Sequence, residues 1–235
     1  MRAEEMLKDI VEDRRSGSSK IMKKTMDLLE MVEKERRAEV MDMIVKAHPS
    51  MSGLSALMKT VVTGEKSVGE IRQEIEDSNR MTIENLKGLV EGKSVVAMSR
   101  SHITEQGLVT ASKVNVLLSH PGGEGKDTAQ YLRGKGIVVN TVHDAEMGYA
   151  VRDCDVVVVG ADSLLPDGFV NKVGTLPLAL TAKHFGKPFY VASPSYKAAR
   201  ESTIRPPFEF IPQDLVTSLV SENGIENLEN LFGER

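Results

Sequence analysis

One short stretch constrains the fold of this chain more than any other: four valines from Val156 to Val159, followed by Gly160, Ala161 and Asp162. A short run of β-branched side chains is typical of a strand that is buried on both faces of a parallel sheet. The glycine allows a tight turn, and Asp162 then lies at the carboxyl end of the strand. Open α/β sheets bind their ligands at that end. The stretch therefore predicts a parallel sheet with a polar site at one edge.

The residues after this strand add a second charge to the predicted site. Turn-forming residues lead from Asp162 to Asn171 and Lys172, and because asparagine is a favourable N-cap, we expect a helix to begin there. The free N–H groups of a first helical turn favour an anion, which would lie beside Asp162 and Lys172. Taken singly, the aspartate could cap a turn and the lysine could be an ordinary surface residue. Taken together, they favour a phosphorylated or polyhydroxylated ligand.

The rest of the chain divides into two parts by its hydrophobic period. Residues 1–92 place apolar side chains at helical spacing and show almost no strand signal, which predicts four or five helices. Beyond them, predicted strands alternate with predicted helices: strands at 94–98, 114–118, 137–141, 156–159 and 189–192, helices at 104–112, 125–133, 145–151 and 172–185, and a candidate last strand at 216–220. This alternation indicates a parallel sheet with right-handed crossovers. We predict an α/β protein with a helical domain (1–92) and a sheet domain (93–235) that carries the ligand pocket.

Two further polar loops follow predicted strands at the same edge of the sheet. In the first, 119–125, two adjacent glycines let the backbone approach a ligand, and Glu124 could accept hydrogen bonds from sugar hydroxyls. Alternatively, Glu124 belongs to the first turn of the next helix, where the helix dipole favours it. In the second loop, Ser99 precedes Arg100, which could bind a phosphate through two hydrogen bonds or pair with acidic side chains. Both alternatives stay open in each loop.

Several classes of function find no support in the composition. The formal charge of −4 and the lack of a basic stripe argue against direct nucleic-acid binding, and no apolar run is long enough to cross a membrane. The single cysteine, Cys154, excludes internal disulfides and fits a reducing cytosol. The histidines lack metal-ligand spacing, and neither a GxGxxG nor a P-loop pattern is present. We expect a cytoplasmic protein with no metal, no cofactor and no membrane contact.

A longer pattern, VGAD…NKVGT…AKH…PFYVASP, occupies residues 158–194. In this pattern the sequence resembles the translation initiation factor 2B alpha/beta/delta family, which includes ribose-1,5-bisphosphate isomerase and methylthioribose-1-phosphate isomerase. A weaker likeness extends through 94–125 and back to the loops at 16–18 and 48–50. The resemblance implies an N-terminal helical domain, a Rossmann-like C-terminal domain and homodimers formed through the latter. It also makes initiation factor 2 or related subunits candidate partners.

The resemblance also implies roles for individual residues. The isomerase members interconvert an aldose phosphate and a ketose phosphate, and they transfer protons with an aspartate and a cysteine. Asp162 stands at the position of that aspartate, and Asn171 and Lys172 stand at the positions of the family's substrate-binding pair. Glu124 stands where the family has an acidic or amide residue that meets substrate hydroxyls.

Other positions depart from the isomerase pattern. Ala97 stands at the position of the cysteine, Ser16 and His48 replace phosphate-binding arginines, and His120 precedes a proline where many members have arginine. An alanine cannot transfer a proton, and losing a general acid–base group typically costs about 10²–10⁴-fold in rate. Neither serine nor neutral histidine replaces the two hydrogen bonds of an arginine. The serines around Arg100 instead resemble the regulatory initiation-factor subunits.

Three hypotheses follow. The first is an initiation-factor-2B-like, non-catalytic protein that binds a sugar phosphate, a nucleotide or a protein partner. The second is an aldose–ketose isomerase of the ribose-1,5-bisphosphate type, in which Asp162 is the catalytic residue, aided by Ser99 or His120. The third is a subunit of a larger assembly whose pocket is vestigial. The predicted ligand-binding residues are Asn171, Lys172, Glu124, Gly160, Ser99, Arg100, His120, His48 and Ser16.

Overall fold

The structure is a computed structural model that describes residues 2–13 and 16–233. Its first part is helical, with α1 (Arg2–Glu12), α2 (Ser18–Met31), α3 (Arg37–Ala47), α4 (Ser52–Thr63) and α5 (Val68–Val90). A capping box begins α5, because the Ser67 hydroxyl accepts from the N–H of Glu70 while the Glu70 carboxylate accepts from the N–H of Ser67. The prediction of an N-terminal helical region is confirmed.

The later part of the chain alternates between strands and helices. The strands are β1 (Ser94–Met98), β2 (Lys113–Leu117), β3 (Val138–Val142), β4 (Val156–Val159), β5 (Ser163–Leu165), β6 (Gly168–Lys172), β7 (Phe189–Ala192), β8 (Phe208–Pro212), β9 (Ser218–Ser221) and β10 (Gly224–Glu226). The helices are α6 (His102–Gly107), α7 (Gly125–Gly134), α8 (Met147–Arg152) and α9 (Thr175–His184).

The central sheet has the strand order β10-β9-β7-β4-β1-β2-β3. All neighbours in it are parallel except β10, which runs antiparallel to β9. Strands β1, β4 and β7 have the predicted bounds, and all four valines of β4 are buried. The prediction of an α/β protein with a mostly parallel sheet is confirmed.

One apolar core lies in the helical part, and two more lie against the opposite faces of the central sheet. Helices α1 to α4 and the start of α5 pack around Ile21, Met26 and Leu54. The end of α5, at Leu86 and Val90, packs instead against the sheet. Helix α5 therefore ties the two parts together, and the division at residue 92 stays a prediction. Within residues 2–13 and 16–233, no helix combines the length and apolar character that a membrane span requires.

The expected helix start at Asn171 is wrong. Asn171 lies in β6, which belongs to a second, antiparallel sheet of order β5-β6-β8, and α9 begins only at Thr175 after Gly174. The physical reason is the pairing of β6 with β8, which sets Asn171 opposite Glu209. The Glu209 carboxylate accepts from the N–H groups of Gly174, at 2.7 Å, and Leu176, at 2.8 Å. A carboxylate of the chain itself thus occupies the helix start where we expected an anion.

Candidate functional site

The polar site lies where the strand order of the central sheet reverses. Strand β1 pairs with β2 on one side and with β4 on the other, so the loops after β1 and β4 leave this edge in opposite directions. Gly160, after β4, comes close to Ser101, after β1, because a Cβ at Gly160 would lie 2.8 Å from the Ser101 hydroxyl. A side chain at Gly160 would push these loops apart, which explains the glycine.

Asp162 is buried at this edge, with 8% of its surface exposed. Ser18, the first residue of α2, lies near enough to its carboxylate to lower its pKa. The ammonium group of Lys197, itself 3% exposed, donates to the Ser18 hydroxyl at 2.9 Å and to the carbonyl oxygen of Ala161 at 2.9 Å. Three distant segments of the chain therefore meet at the ammonium group of Lys197, next to Asp162.

Burial and charge act in opposite directions on the protonation of these two groups. Burial raises the pKa of Asp162, while the charges of Lys197 and Lys172 and the polar groups of Ser18 lower it less strongly. Burial lowers the pKa of Lys197, and the charge of Asp162 opposes that shift. The net result is a raised pKa for Asp162 and a lowered pKa for Lys197, each opposed by the charge of the other group.

An ion pair lies at the same edge as Asp162. The ammonium group of Lys172, at the end of β6, lies 2.5 Å from the carboxylate of Glu124, and their side chains are 10% and 18% exposed. The Ser99 hydroxyl donates to the same carboxylate at 3.1 Å. A side chain at Gly122 would overlap Glu124 and come within 2.8 Å of the Lys172 nitrogen. The glycine-rich loop thus brings Glu124 onto Lys172, and a side chain at Gly122 would displace one or both of these groups.

Asn171 is held within its own segment. Its amide donates to the hydroxyl of Thr175 at 3.0 Å, and that hydroxyl donates to the carbonyl oxygen of Lys172 at 2.6 Å. The structure therefore brings together Asp162, Lys172, Glu124, Ser99, Gly160 and Asn171 at one edge of the sheet. Their role in ligand binding stays a prediction.

The remaining predicted site residues contact other groups. Arg100 pairs with Glu105 at 3.2 Å and with Asp127 at 3.1 Å, which is the alternative of pairing with acidic side chains. The ring of His120 lies 2.9 Å from Asp144, and its side chain is 58% exposed.

The two positions that replace family arginines lie in the helical part. The ring of His48 is buried and lies 2.7 Å from the carbonyl oxygen of Ile10, so it ties the end of α3 to α1. The backbone N–H of Ser16 donates to the carboxylate of Asp13 at 2.9 Å. Ser18, two residues further on and the first residue of α2, accepts a hydrogen bond from the ammonium group of Lys197 at 2.9 Å.

The site contains no thiol. Ala97 lies inside β1, paired with Val116 and Val158, and is buried in the core. Cys154, the one cysteine of the sequence, precedes β4 and so lies at the opposite edge of the sheet from Asp162. Burial raises the pKa of Cys154 to about 11. This thiol is inert at neutral pH and is separated from the site by the length of the strand.

Lys197 and Ser18 were not among the site residues predicted from the sequence. Lys197 closes a short 3-10 helix, Ser195–Lys197, directly after β7. A lysine that follows a buried parallel strand at the ligand-binding edge is a usable signal, because side chains at this edge converge. Ser18 gave a weaker signal, since a serine at a helix start is explained by capping alone.

Known proteins share the sequence pattern and the architecture of this chain. Residues 2–206 match the model of the Initiation factor 2 subunit family. A Pyrococcus horikoshii protein, named as translation initiation factor eIF-2B subunit 2-like, is 30% identical over 215 residues, which cover 82% of this chain and 78% of that protein. The ribose 1,5-bisphosphate isomerase of Methanocaldococcus jannaschii is 29% identical over 182 residues, covering 70% of this chain and 59% of that enzyme.

Solved structures share the whole fold. The crystal structure of translation initiation factor eIF-2B from Pyrococcus horikoshii superposes with a TM-score of 0.85 at 26% identity, covering 96% of this chain and 97% of that one. A chain of the tetrameric eIF2B-beta2-delta2 complex from C. thermophilum superposes with a TM-score of 0.77 at 18% identity, covering 98% and 92%. The second likeness concerns the fold alone, and that chain is part of a tetrameric complex of beta and delta subunits.

Proposed function

The chain belongs to the initiation factor 2 subunit family, and from this premise we propose that it is a non-catalytic, initiation-factor-2B-like protein that binds a small phosphorylated ligand. The ligand is a sugar phosphate or a nucleotide, held at the edge where β1 and β4 diverge. One observation carries the proposal: a buried cluster of paired charges around Asp162 that lacks a thiol.

The ion pair between Lys172 and Glu124 suits a ligand with both a phosphate and hydroxyl groups. A phosphate would take the ammonium group of Lys172 away from Glu124, and a ligand hydroxyl would donate to the carboxylate that is set free. Asp162 would accept a second hydroxyl. Because each protein charge gains a new partner, none is left buried and uncompensated, which would be costly.

The lack of a second proton-transferring group argues against catalysis. Moving a proton between two carbons of a sugar phosphate needs groups that can accept and return it in concert. Ala97 has no such group, and Cys154 is at the far edge of the sheet. Ser99 and His120, the two residues that could aid Asp162 in place of the thiol, already have acidic partners. The Ser99 hydroxyl donates to Glu124, and the ring of His120 contacts Asp144.

A second candidate function is the aldose–ketose isomerase, and the raised pKa of Asp162 favours it. A carboxyl group whose pKa burial moves upward is better able to take and return a proton near neutral pH. In this alternative Asp162 moves the proton between C1 and C2 of ribose 1,5-bisphosphate, the substrate in the name of the Methanocaldococcus relative. Ketose formation that disappears in Asp162→Asn would establish the isomerase in place of the first proposal.

The first proposal predicts that Lys172→Met lowers ligand affinity about 10–100-fold, since a charge-assisted hydrogen bond is worth roughly 1.5–3 kcal/mol. Calorimetric titration with ribose 1,5-bisphosphate and with adenosine monophosphate measures the affinities. Lys183→Met is the matched control, because Lys183 pairs with Asp214 on the surface and is 57% exposed. Its affinity should equal that of the unmodified protein.

Two results would contradict this proposal. Equal affinities for the Lys172 and Lys183 variants would remove the predicted phosphate contact. The second is a thermal-shift screen in which no sugar phosphate or nucleoside monophosphate raises the unfolding temperature. That outcome would favour the hypothesis of a subunit with a vestigial pocket. The screen is sensitive, because a ligand at about 100 times its Kd adds roughly 2.7 kcal/mol of stability.

We also propose that two copies of the chain pair through the sheet domain, and that the pair associates with initiation factor 2 or related subunits. Tyr149 on α8 and Leu180 on α9 are 70% and 51% exposed, and the two helices pack side by side. Sedimentation equilibrium should give a molecular mass of two chains for the unmodified protein. The Leu180→Glu variant should give the mass of a single chain. The control is Val62→Glu on α4, where Val62 is 55% exposed; a monomeric unmodified protein would overturn the pairing.

A further inference from the structure

The side chain of Asp144 joins the loop after β3 to the loop after β2. These strands are parallel neighbours in which Leu117 lies opposite Val142, so both loops leave the same edge of the sheet. One carboxylate oxygen of Asp144 accepts from the N–H of Ser119 at 2.8 Å, and the other accepts from the N–H of His120 at 2.8 Å. The ring of His120 lies 2.9 Å from the same carboxylate. Three groups of one turn therefore contact a single side chain from the neighbouring strand.

Two serines at this edge have a backbone conformation that needs support. Ser99, after β1, and Ser119, after β2, both have a φ of 64°, in the left-handed region that residues with a side chain seldom adopt. Such a conformation persists where surrounding contacts hold it. The buried Ser119 hydroxyl donates to the carbonyl oxygen of Leu117 at 3.0 Å and accepts from the N–H of Ser99 at 2.7 Å. Since the N–H of Ser119 is bound to Asp144, Ser119 is fixed at both groups and in turn fixes Ser99.

The same series of contacts ends at Glu124, the carboxylate that the proposed function assigns to a ligand hydroxyl. The hydroxyl of Ser99 donates to Glu124 at 3.1 Å, and the backbone conformation of Ser99 sets the direction of that hydroxyl. Glu124 also belongs to the loop 119–125, whose start is held by Asp144. Asp144 therefore acts on Glu124 by two routes, through the backbone of the loop and through the two serines.

We propose that Asp144 is a positioning residue that orients the carboxylate of Glu124 for a ligand hydroxyl, by holding Ser119 and, through it, Ser99. The inference rests on the proposed function in one respect, that Glu124 meets the ligand. It extends the site to the loop after β3, the strand at the edge of the central sheet. Binding at the centre of the sheet thus depends on a side chain that follows its outermost parallel strand.

Calorimetric titration with ribose 1,5-bisphosphate tests the effect on the ligand. Asp144→Ala should lower the affinity about tenfold, since a hydrogen bond to a charged group is worth at least that much. Asp144→Asn, which keeps one accepting oxygen, should lower it less. In a Glu124→Ala background, Asp144→Ala should change nothing further, because the group that it orients is gone. A general loss of structure would lower the affinity in both backgrounds, and that result would overturn the proposal.

Amide hydrogen exchange in the ligand-free protein tests the contacts themselves. The N–H of Ser99 donates to Ser119 and not to Asp144, yet in Asp144→Ala it should exchange about tenfold faster, because its acceptor is released. Asp155→Ala is the matched control, since Asp155 accepts from the N–H of Ser94 at 2.8 Å at the other end of β1. This control should leave both the exchange of Ser99 and the affinity unchanged.

Unchanged exchange at Ser99 in Asp144→Ala, or an unchanged affinity for ribose 1,5-bisphosphate, would overturn the proposal. If Asp144→Ala does not fold, Asp144→Asn decides the question, because it keeps the shape of the side chain and removes one accepting oxygen. Since the exchange needs no ligand, faster exchange in a protein that binds no sugar phosphate or nucleotide would overturn the proposed function and confirm that Asp144 holds the loop.

Discussion

Replacing Gly125 with alanine should lower the free energy of unfolding by about 3 kcal/mol or more. Gly125 is the first residue of α7, and its N–H donates to the carbonyl oxygen of Leu118 at 3.2 Å. A Cβ on Gly125 would overlap the carbonyl oxygen of Leu117 and lie 2.9 Å from its carbonyl carbon. Because Leu117 belongs to β2, which pairs with β1 and β3, those backbone atoms cannot move aside. Urea denaturation measures the change.

Gly134→Ala is the matched control for this substitution. Gly134 ends the same helix, and no atom lies within 4 Å of a Cβ built there. Alanine is favoured over glycine in a helix by up to about 1 kcal/mol, so this variant should unfold at the same or a higher urea concentration. If both variants unfold at the same urea concentration as the unmodified protein, the start of α7 does not pack closely on β2. Since Gly125 follows Glu124, its replacement should also weaken the contact of Glu124 with Lys172.

The parts of the fold that local pattern determines were predictable. Strand β4 is four consecutive valines buried on both faces, and the capped start of α5 follows a serine with glutamate three residues later. In both cases the residues that decide the structure are neighbours in sequence. The same holds for Asp162, which the turn after β4 places at the edge of the sheet.

The parts that depend on distant partners were not predictable. Asn171 is a favourable N-cap by itself, yet pairing with Glu209 on β8 holds it in a strand. Lys197 and Ser18 are ordinary polar residues in their own segments. They come into contact only because distant segments of the chain pack together. For Arg100, the sequence pattern allowed either a phosphate or acidic side chains as partners. The structure shows the acidic partners, Glu105 and Asp127.

The same meeting of segments predicts strong coupling between Asp162 and Lys197 in stability. Asp162→Ala leaves a buried ammonium group without its counter-charge and should cost about 3–5 kcal/mol, and Lys197→Met should cost a similar amount by isolating the carboxylate. The double variant removes both charges, so its cost should fall well below the sum of the two single costs. Urea denaturation of the four proteins gives the interaction free energy. Asp214→Ala with Lys183→Met is the control cycle, because that pair is exposed and its costs should be small and additive.

The pH dependence separates this coupling from a simple loss of packing. Burial lowers the pKa of Lys197, and in Asp162→Ala the charge that opposes this shift is gone. A lysine whose pKa is lower in the folded than in the unfolded protein binds a proton on unfolding, so stability increases with pH up to the unfolded pKa of about 10.4. The loss in free energy of unfolding caused by Asp162→Ala should therefore be smaller at about pH 9.5 than at about pH 7. A loss caused by poorer packing alone would be the same at both pH values. A deficit that stays constant over this range, together with additive costs in the cycle, would show that Lys197 does not carry its charge beside Asp162. Asp162 would then not compensate the buried charge of Lys197.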